Sequence, residues 1–155
     1  MTEIVAVDIG GTHARFALAT VADGRVIELG EATTLKTSEH ASFQTAWEDY
    51  GRIMGRSLPR ATAIAIAGPV QGEIIRFTNN PWIIRPSLIC EKLGVDAFTL
   101  INDFGAVGHA VAQAGADHFQ HMCGPDIPLP GVGTISIIGP GTGLGVAHVF
   151  RSEER

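Results

Sequence analysis

The stretch VAVDIGGTHARFAL, residues 5–18, constrains the fold more than any other part of this sequence. Two apolar runs flank a short segment that contains Asp8, two adjacent glycines and Thr12. The first run, residues 3–9, lacks the alternation of a half-exposed strand, and this predicts a fully buried strand. Residues 13–20 alternate loosely and predict a second strand. The tight connection between the two runs therefore predicts an antiparallel pair at the start of the fold.

The rest of the chain predicts a third strand and then alternating strands and helices. A turn at residues 22–24 precedes a predicted third strand at residues 25–35. Apolar residues at helical spacing predict a helix over residues 42–56 with Ser42 as its cap. The remaining predictions are strands at residues 61–67, 72–78, 97–101, 134–139 and 144–150, a helix from a Ser87 cap to Leu93, and a helix at residues 104–114. Three antiparallel strands followed by β-α-β units predict an α/β domain with a mixed sheet and helices across its faces.

Composition and charge disfavour several classes of protein. The chain has 155 residues, of which 45% are hydrophobic and 17% charged, and its formal net charge is −5. It has no basic stripe, so neither nucleic acid nor anionic lipid is an expected partner. Cys90 and Cys123 are too few and too isolated for a disulfide framework. We expect buried or half-buried free thiols in a reducing compartment.

Neither end of the chain predicts export or a membrane span. The amino terminus lacks a basic region, and its apolar run breaks at Asp8, so we expect no signal peptide. Residues 127–150 carry no charge, but their glycines and prolines are typical of strands and loops rather than of a spanning helix. These features favour a cytoplasmic protein.

The segment DIGGT, residues 8–12, combines groups that suit a metal-bound nucleotide. Gly10 and Gly11 let backbone N–H groups approach an anion closely, and the hydroxyl of Thr12 adds a donor. A carboxylate at Asp8 would repel phosphate unless a divalent cation stood between them. The segment alone is also compatible with an ordinary hairpin whose turn is capped by Asp8.

The segment GPGTG, residues 139–143, is a second candidate phosphate clamp. It offers the backbone N–H groups and the hydroxyl of Gly141, Thr142 and Gly143 between two predicted strands. Taken alone, it is also compatible with a plain glycine-rich hairpin. The chain contains no Gly-Lys pair, and these glycines do not satisfy G-x-G-x-x-G, so neither a Walker A loop nor a dinucleotide fingerprint is present.

Asn102 and Asp103 follow a predicted strand and precede a predicted helix. Either residue alone would suffice as a helix N-cap. The pair also suits a sugar, because an amide can bond hydroxyl groups and a carboxylate can accept a hydroxyl proton. Gly68, which stops another predicted strand, is a further candidate substrate-binding residue.

With these loops in order, the chain resembles the bacterial glucokinase family, in the sugar kinase, actin and Hsp70 ATPase superfamily. The resemblance lies in VAVDIGGTHARFALA, GPV, FTNNPW, LINDFGAVGHAV and GPGTGLGVAHV, and it covers the whole chain. It implies a ribonuclease H-like (actin-like ATPase) fold with a sugar-binding cleft between two lobes. It also implies ATP-dependent phosphorylation of D-glucose, with ATP and Mg²⁺ as the cofactors, and leaves a homo-oligomer possible.

The resemblance implies roles for individual residues. Asp103 matches the catalytic base that takes the proton from the glucose 6-hydroxyl, and Asn102 matches a ligand of sugar hydroxyls. Asn80, in the TNNPW loop, lies in a segment that lines the sugar site. The residues that match the two phosphate segments are Asp8, Gly10, Gly11 and Thr12, with Asp8 on the magnesium side, and Gly141, Thr142 and Gly143.

The chain departs from the family in length. The family's next segment is a Gly-Glu-Gly-Gly-His motif whose acid and histidine hold the sugar, and this chain ends before it. We therefore expect residues 1–155 to be the amino-terminal lobe, without the second lobe. We expect the isolated chain to have weak or no kinase activity, and to self-associate through surface that normally meets the other lobe.

The sequence is also compatible with other functions. A kinase for another hexose or for an N-acetylated amino sugar would carry the same motifs. A non-catalytic regulator on the same fold would typically have a DNA-binding helix-turn-helix ahead of the phosphate motif, for which the position of Asp8 leaves no room. An actin-like or chaperone ATPase is disfavoured by the Asn102 and Asp103 pair and by the TNNPW loop.

Overall fold

A computed structural model describes residues 1–141 and 143–153 of the chain. These residues fall into two compact units, Met1–Asp103 and Phe104–Arg155. No helix in the described part of the chain is long and apolar enough to cross a membrane.

The first unit is built on a six-stranded sheet. The sheet is mixed, as the sequence predicts. Its strands are β1 (Thr2–Ile9), β2 (His13–Ala22), β3 (Arg25–Leu29), β4 (Thr33–Lys36), β5 (Ala61–Ile66) and, later in the chain, β8 (Ala97–Asn102). The order is β3-β2-β1-β5-β8, and β4 also pairs with β2. β1 pairs antiparallel with β2, whereas β1, β5 and β8 are parallel to one another.

The prediction of a single third strand over residues 25–35 is wrong, because two strands lie there. β3 pairs with the end of β2 and β4 with its start. Between them the chain leaves the ladder at Gly30, whose N–H donates to the carbonyl of Leu18 over 2.8 Å. The turn before β3 is as predicted, with positive φ at Asp23 and Gly24, which suits a tight hairpin.

Helix α1 (Phe43–Met54) packs its apolar face against the sheet. The hydroxyl of Ser42 accepts from the N–H of Thr45, as a predicted N-cap should, and the helix ends at Gly55 in the left-handed conformation. The rings of Tyr50 and Phe16 stack with their centroids 5.1 Å apart. Each such buried side chain contributes about 1.5–3 kcal/mol through the removal of apolar surface from water.

The segment between β5 and β8 is less regular than predicted. The strand expected at residues 72–78 is reduced to β6 (Ile75–Arg76), which pairs with β7 (Ile83–Ile84). The short helix α2 (Ile89–Leu93) follows a 3-10 turn, Pro86–Leu88. The predicted Ser87 cap is wrong, because the proline-led 3-10 turn occupies that position and Leu88 precedes α2 without a side-chain cap.

Helix α3 (Asp103–Gln113) begins at the last residue of the first unit and continues into the second. There it packs on a hairpin of β9 (Gly133–Pro140) and β10 (Leu144–Arg151). A side chain at Gly108 would meet Ala147 and Val149, each at 3.7 Å. Of the two cysteines, Cys90 is half-buried as expected, but Cys123 is exposed because it lies in an irregular segment before the hairpin.

Candidate active site

Three neighbouring parallel strands end at one edge of the first unit's sheet. In the register of the sheet, Ile9 of β1 lies beside Ile66 of β5, and Ile66 lies beside Asn102 of β8. The segments that follow these strands therefore lie at the same edge, where ligands bind in α/β sheets. We call this edge the strand-end edge. It carries residues 10–12, Gly68 and the pair Asn102 and Asp103.

Residues 10–12 form the first glycine loop, and protein donors hold the carbonyl group of each residue. The side-chain amide of Asn80 donates to the carbonyl oxygen of Gly10 over 3.2 Å. The hydroxyl of Thr37 donates to the carbonyl oxygen of Gly11 over 3.0 Å. The backbone N–H of Thr37 donates to the carbonyl oxygen of Thr12, also over 3.0 Å. The carbonyl oxygens of Gly10, Gly11 and Thr12 thus all accept hydrogen bonds from within the protein.

This arrangement leaves the N–H groups of the loop available to an anion. In a trans peptide the N–H points away from the carbonyl, and the described residues contain no cis peptide. Fixing the carbonyls of Gly10 and Gly11 therefore aims the N–H groups of Gly11 and Thr12 in the opposite direction. Within the described part of the chain neither of these N–H groups meets an acceptor. Successive N–H groups of this kind form an anion-binding concavity.

The TNNPW loop approaches Gly11 closely. A Cβ atom at this position would lie 3.1 Å from the Cβ of Asn79. Any larger residue would push the two loops apart.

The hydroxyl of the exposed Thr12 lies 3.0 Å from Nδ1 of His13.

Asp8 is paired with Arg15, a partner that follows only from the register of β1 and β2. The two residues face each other across β1 and β2, and an Arg15 guanidinium nitrogen lies 3.0 Å from Oδ2 of Asp8. Both side chains are about half exposed. The described residues contain no group of three or more His, Cys, Asp or Glu side chains that could hold a metal ion. A lone carboxylate fits Mg²⁺ only where nucleotide phosphates and water supply the other ligands, which is the usual situation for this ion.

Gly68 and Asn102, two candidate residues from different loops, are in direct contact, and Asp103 follows Asn102 in the chain. The side-chain amide of Asn102 donates to the carbonyl oxygen of Gly68 over 3.0 Å. Asp103, half-buried, is the first residue of α3. A carboxylate in the first turn of a helix is stabilised by the helix dipole.

Asn80 is buried, with 6% of its surface exposed. Both polar atoms of its side-chain amide make hydrogen bonds. The amide nitrogen donates to Gly10, and the amide oxygen accepts from the backbone N–H of Trp82 over 2.9 Å. The structure thus places the predicted sugar-site residue in contact with the first glycine loop.

Trp82 and His40 hold this arrangement in place through a hydrogen bond that no local sequence pattern indicates. The indole N–H of Trp82 donates to the carbonyl oxygen of His40 over 2.9 Å. The imidazole of His40 lies 3.0 Å from the carbonyl oxygen of Lys36 and 3.1 Å from a carboxylate oxygen of Asp49. Burial alone lowers the pKa of His40, but these two hydrogen bonds and the negative charges of Asp49 and Glu39 together raise the pKa above 6.5.

The second candidate phosphate segment lies in the second unit, at the turn of the β9–β10 hairpin. The N–H of Gly141 donates to the carbonyl of Gly143 over 2.8 Å. Gly139 and Gly145 face the ring of Phe104, and a Cβ atom at either position would collide with it. Thr142, the third predicted residue of this segment, lies outside the described residues.

Comparison with known proteins identifies relatives over nearly the whole chain. A family model described as Glucokinase matches residues 5–155. The chain is 62% identical over 153 residues to a glucokinase of Zymomonas mobilis, which covers 99% of this chain and 47% of that protein. It is 38% identical over 148 residues to a glucokinase of Saccharophagus degradans, of which it covers 45%. The chain thus spans about half the length of the curated relatives it matches.

Solved structures share the same fold. A glucokinase from an Antarctic psychrotroph matches 99% of this chain and 48% of its own, with 26% identity and a TM-score of 0.81. A glucokinase from Balamuthia mandrillaris, crystallised in complex with glucose, matches with 23% identity and a TM-score of 0.67, over 99% of this chain and 46% of its own.

Proposed function

The chain belongs to the glucokinase family, and we therefore propose that the full-length protein that contains it phosphorylates D-glucose with ATP. We propose residues 1–155 as the amino-terminal lobe of a two-lobed sugar kinase with the ribonuclease H-like (actin-like ATPase) fold. The observation that carries the proposal is the strand-end edge. This edge carries the first glycine loop after β1, Gly68 after β5, the Asn102 amide at the end of β8 and the Asp103 carboxylate at the start of α3.

The first glycine loop is the proposed binding site for the phosphates of ATP. The N–H groups of Gly11 and Thr12 and the hydroxyl of Thr12 bind phosphate oxygens, and Gly10 gives the chain room to turn toward them. Gly141, Thr142 and Gly143 form the proposed second phosphate segment. We propose both segments from the family resemblance and from their glycine-rich chemistry.

Asp8 is the proposed protein ligand of the magnesium ion that accompanies ATP. Bound Mg²⁺ neutralises charge on the β- and γ-phosphates during transfer. In the structure, the Arg15 guanidinium bonds one oxygen of the Asp8 carboxylate. Arg15 therefore shares the carboxylate with the ion or turns toward the phosphates when ATP binds.

Glucose is the proposed occupant of the other part of the strand-end edge. Asn102 and Gly68 bond sugar hydroxyls, with the TNNPW loop and its residue Asn80 at the border of the site. Asp103 accepts the proton of the 6-hydroxyl as O6 forms a bond to the γ-phosphorus. The bond from that phosphorus to the bridging oxygen breaks, and ADP leaves with the electron pair. Glucose 6-phosphate and ADP are the products.

A coupled phosphorylation assay on the full-length protein tests this assignment through Asp103→Asn. We expect kcat to fall about 10²- to 10⁴-fold, the usual contribution of a general base. The KM values for glucose and ATP should change little, because the amide keeps the size of the carboxyl group. Asp23→Asn is the matched control, since Asp23 is an exposed turn residue with positive φ, which Asn tolerates.

Near-normal turnover in Asp103→Asn would contradict the assignment of the base. A substrate panel of glucose, mannose and an N-acetylated hexosamine tests the sugar. Preference for another sugar would contradict the choice of glucose, and sugar binding without turnover would indicate a regulator. The 155-residue chain alone should have weak or no activity in the same assay.

A further inference from the structure

The peptide bond between Gly10 and Gly11 needs a restraint that its own residues do not supply. Glycine adopts positive and negative φ about equally well, so a peptide flanked by two glycines can rotate with little steric resistance. Such a rotation would exchange the directions of the Gly10 carbonyl and the Gly11 N–H. A carbonyl oxygen would then face the phosphates in place of a donor.

Asn80 supplies that restraint. Its amide nitrogen holds the carbonyl oxygen of Gly10, which belongs to the same peptide as the N–H of Gly11. Thr37 holds the carbonyls of Gly11 and Thr12, so it acts on the next two peptides and not on this one.

The side chain of Asn80 is itself fixed in place. Its oxygen accepts the backbone N–H of Trp82, and Trp82 is 1% exposed. The indole of Trp82 stacks near Phe43, with ring centroids 6.3 Å apart, and donates to the His40 carbonyl. The position of the Asn80 amide relative to Gly10 is therefore set by buried residues of the unit.

We propose that Asn80 is a positioning residue of the first glycine loop, which keeps the Gly11 N–H directed at the phosphates of the bound nucleotide, and is not itself a ligand of the sugar. This inference rests on the proposed function of the loop. An amide that is nearly buried, with its nitrogen and its oxygen both bonded inside the protein, is poorly placed to bond a sugar hydroxyl as well.

Equilibrium binding to the full-length protein tests the proposal without requiring turnover. MgATP and glucose are titrated separately into the wild type, Asn80→Ala and Asn80→Asp. The aspartate variant keeps an acceptor for Trp82 but has no donor for Gly10. We expect both variants to bind MgATP about 10-fold more weakly, the loss of one donor to a charged group. Glucose affinity should stay within about 2-fold.

Asn79→Ala is the matched control, because it removes a neighbouring amide from the same loop and keeps the Cβ atom that lies against Gly11. We expect its affinity for MgATP to stay within about 2-fold of the wild type. Weaker glucose binding with unchanged MgATP binding in the Asn80 variants would overturn the proposal and make Asn80 a sugar ligand.

A measurement on the wild type covers the case in which the variants fail to fold. The amide proton of Gly11 should shift strongly in NMR spectra when MgADP is added, and an unmoved resonance would overturn the proposal. The proposed function can fail separately. If MgATP binding weakens as expected in the variants but the wild type phosphorylates no glucose, the role of Asn80 stands and the glucokinase assignment is wrong.

Discussion

The two glycine-rich loops of this chain are similar in sequence, but their described residues make different hydrogen bonds. Residues far along the chain hold the first loop, since Thr37 is 26 residues from Gly11 and Asn80 is 70 residues from Gly10. Among the described residues of the second loop (residues 139–143), the N–H of Gly141 donates to the carbonyl of Gly143.

This difference shows that glycine serves two purposes in the chain. In the first loop it lets the backbone present N–H groups whose direction is set by buried side chains. Beside the second loop, Gly139 and Gly145 make room for the ring of Phe104. The first loop should therefore respond to changes in the core of its unit, and the second to changes in its own hairpin.

Trp82→Ala should have the largest effect and should disturb the first loop. Replacing a fully buried tryptophan by alanine costs about 3–5 kcal/mol of unfolding free energy. Hydrogen exchange should also become faster at the amides of Gly10 and Thr37, which donate to the carbonyls of His13 and Thr12, because removal of the indole loosens the loop that carries Asn80. Denaturant unfolding and hydrogen exchange on the full-length protein measure both effects.

Phe150→Ala is the control for this prediction, because Phe150 is 75% exposed on the outer side of the hairpin. We expect a change within about 0.5 kcal/mol, as for most surface substitutions. If Trp82→Ala left exchange at the first loop unchanged, the loop would be set by its own residues, and the contrast between the two loops would disappear.

Gly145→Ala should have an intermediate effect confined to the second unit. The new methyl group would collide with the ring of Phe104, and overpacking of this kind costs about 1–3 kcal/mol. Gly143→Ala is the control, because a Cβ atom at Gly143 meets nothing within 4 Å. Hydrogen exchange in β9 and β10 reports the change, and exchange at the first glycine loop should not respond.

A double-mutant cycle with Phe104→Ala identifies the cause. If the collision is responsible, Gly145→Ala should cost much less in the Phe104→Ala background. Equal costs in both backgrounds would mean that Gly145 is needed for its backbone and not for the space it leaves.

Local patterns predicted the parts of this molecule that depend on neighbouring residues. The apolar runs on either side of Asp8 gave β1 and β2, and the position of Asn102 at the end of an apolar run placed it at the edge of the sheet. The parallel order of β1, β5 and β8 then brought the candidate residues of the first unit to one edge.

Contacts between distant residues could not be predicted in this way. Nothing near Gly10 in the sequence indicates that Asn80 bonds it, and nothing near Trp82 indicates His40. The break between β3 and β4 depends likewise on β2, which pairs with one strand at each end. The opposition of Asp8 and Arg15 follows once the register of the hairpin is known.

The ion pair of His40 and Asp49 should have the smallest effect, and it tests whether the support of the first loop depends on pH. Burial lowers the pKa of His40, but hydrogen bonds to Lys36 and Asp49 and the charges of Asp49 and Glu39 together raise it above its ordinary value of 6.5. The protonated imidazole thus favours the folded state, and its contribution is fully present below the unfolded-state pKa. That contribution is lost as the pH rises through the higher folded-state pKa.

Asp49→Asn should therefore reduce stability more at pH 5.5 than at pH 8.5, by at most about 1 kcal/mol for a partly exposed pair. Denaturant unfolding across this pH range measures the difference. Arg52→Gln is the control, because Arg52 is the other ionic partner of Asp49 and leaves the contact with His40 in place. If Asp49→Asn followed the same pH dependence as the wild type, the carboxylate would not be what holds the proton on His40. The raised pKa of His40 would then come from the hydrogen bond to the Lys36 carbonyl and from the charge of Glu39.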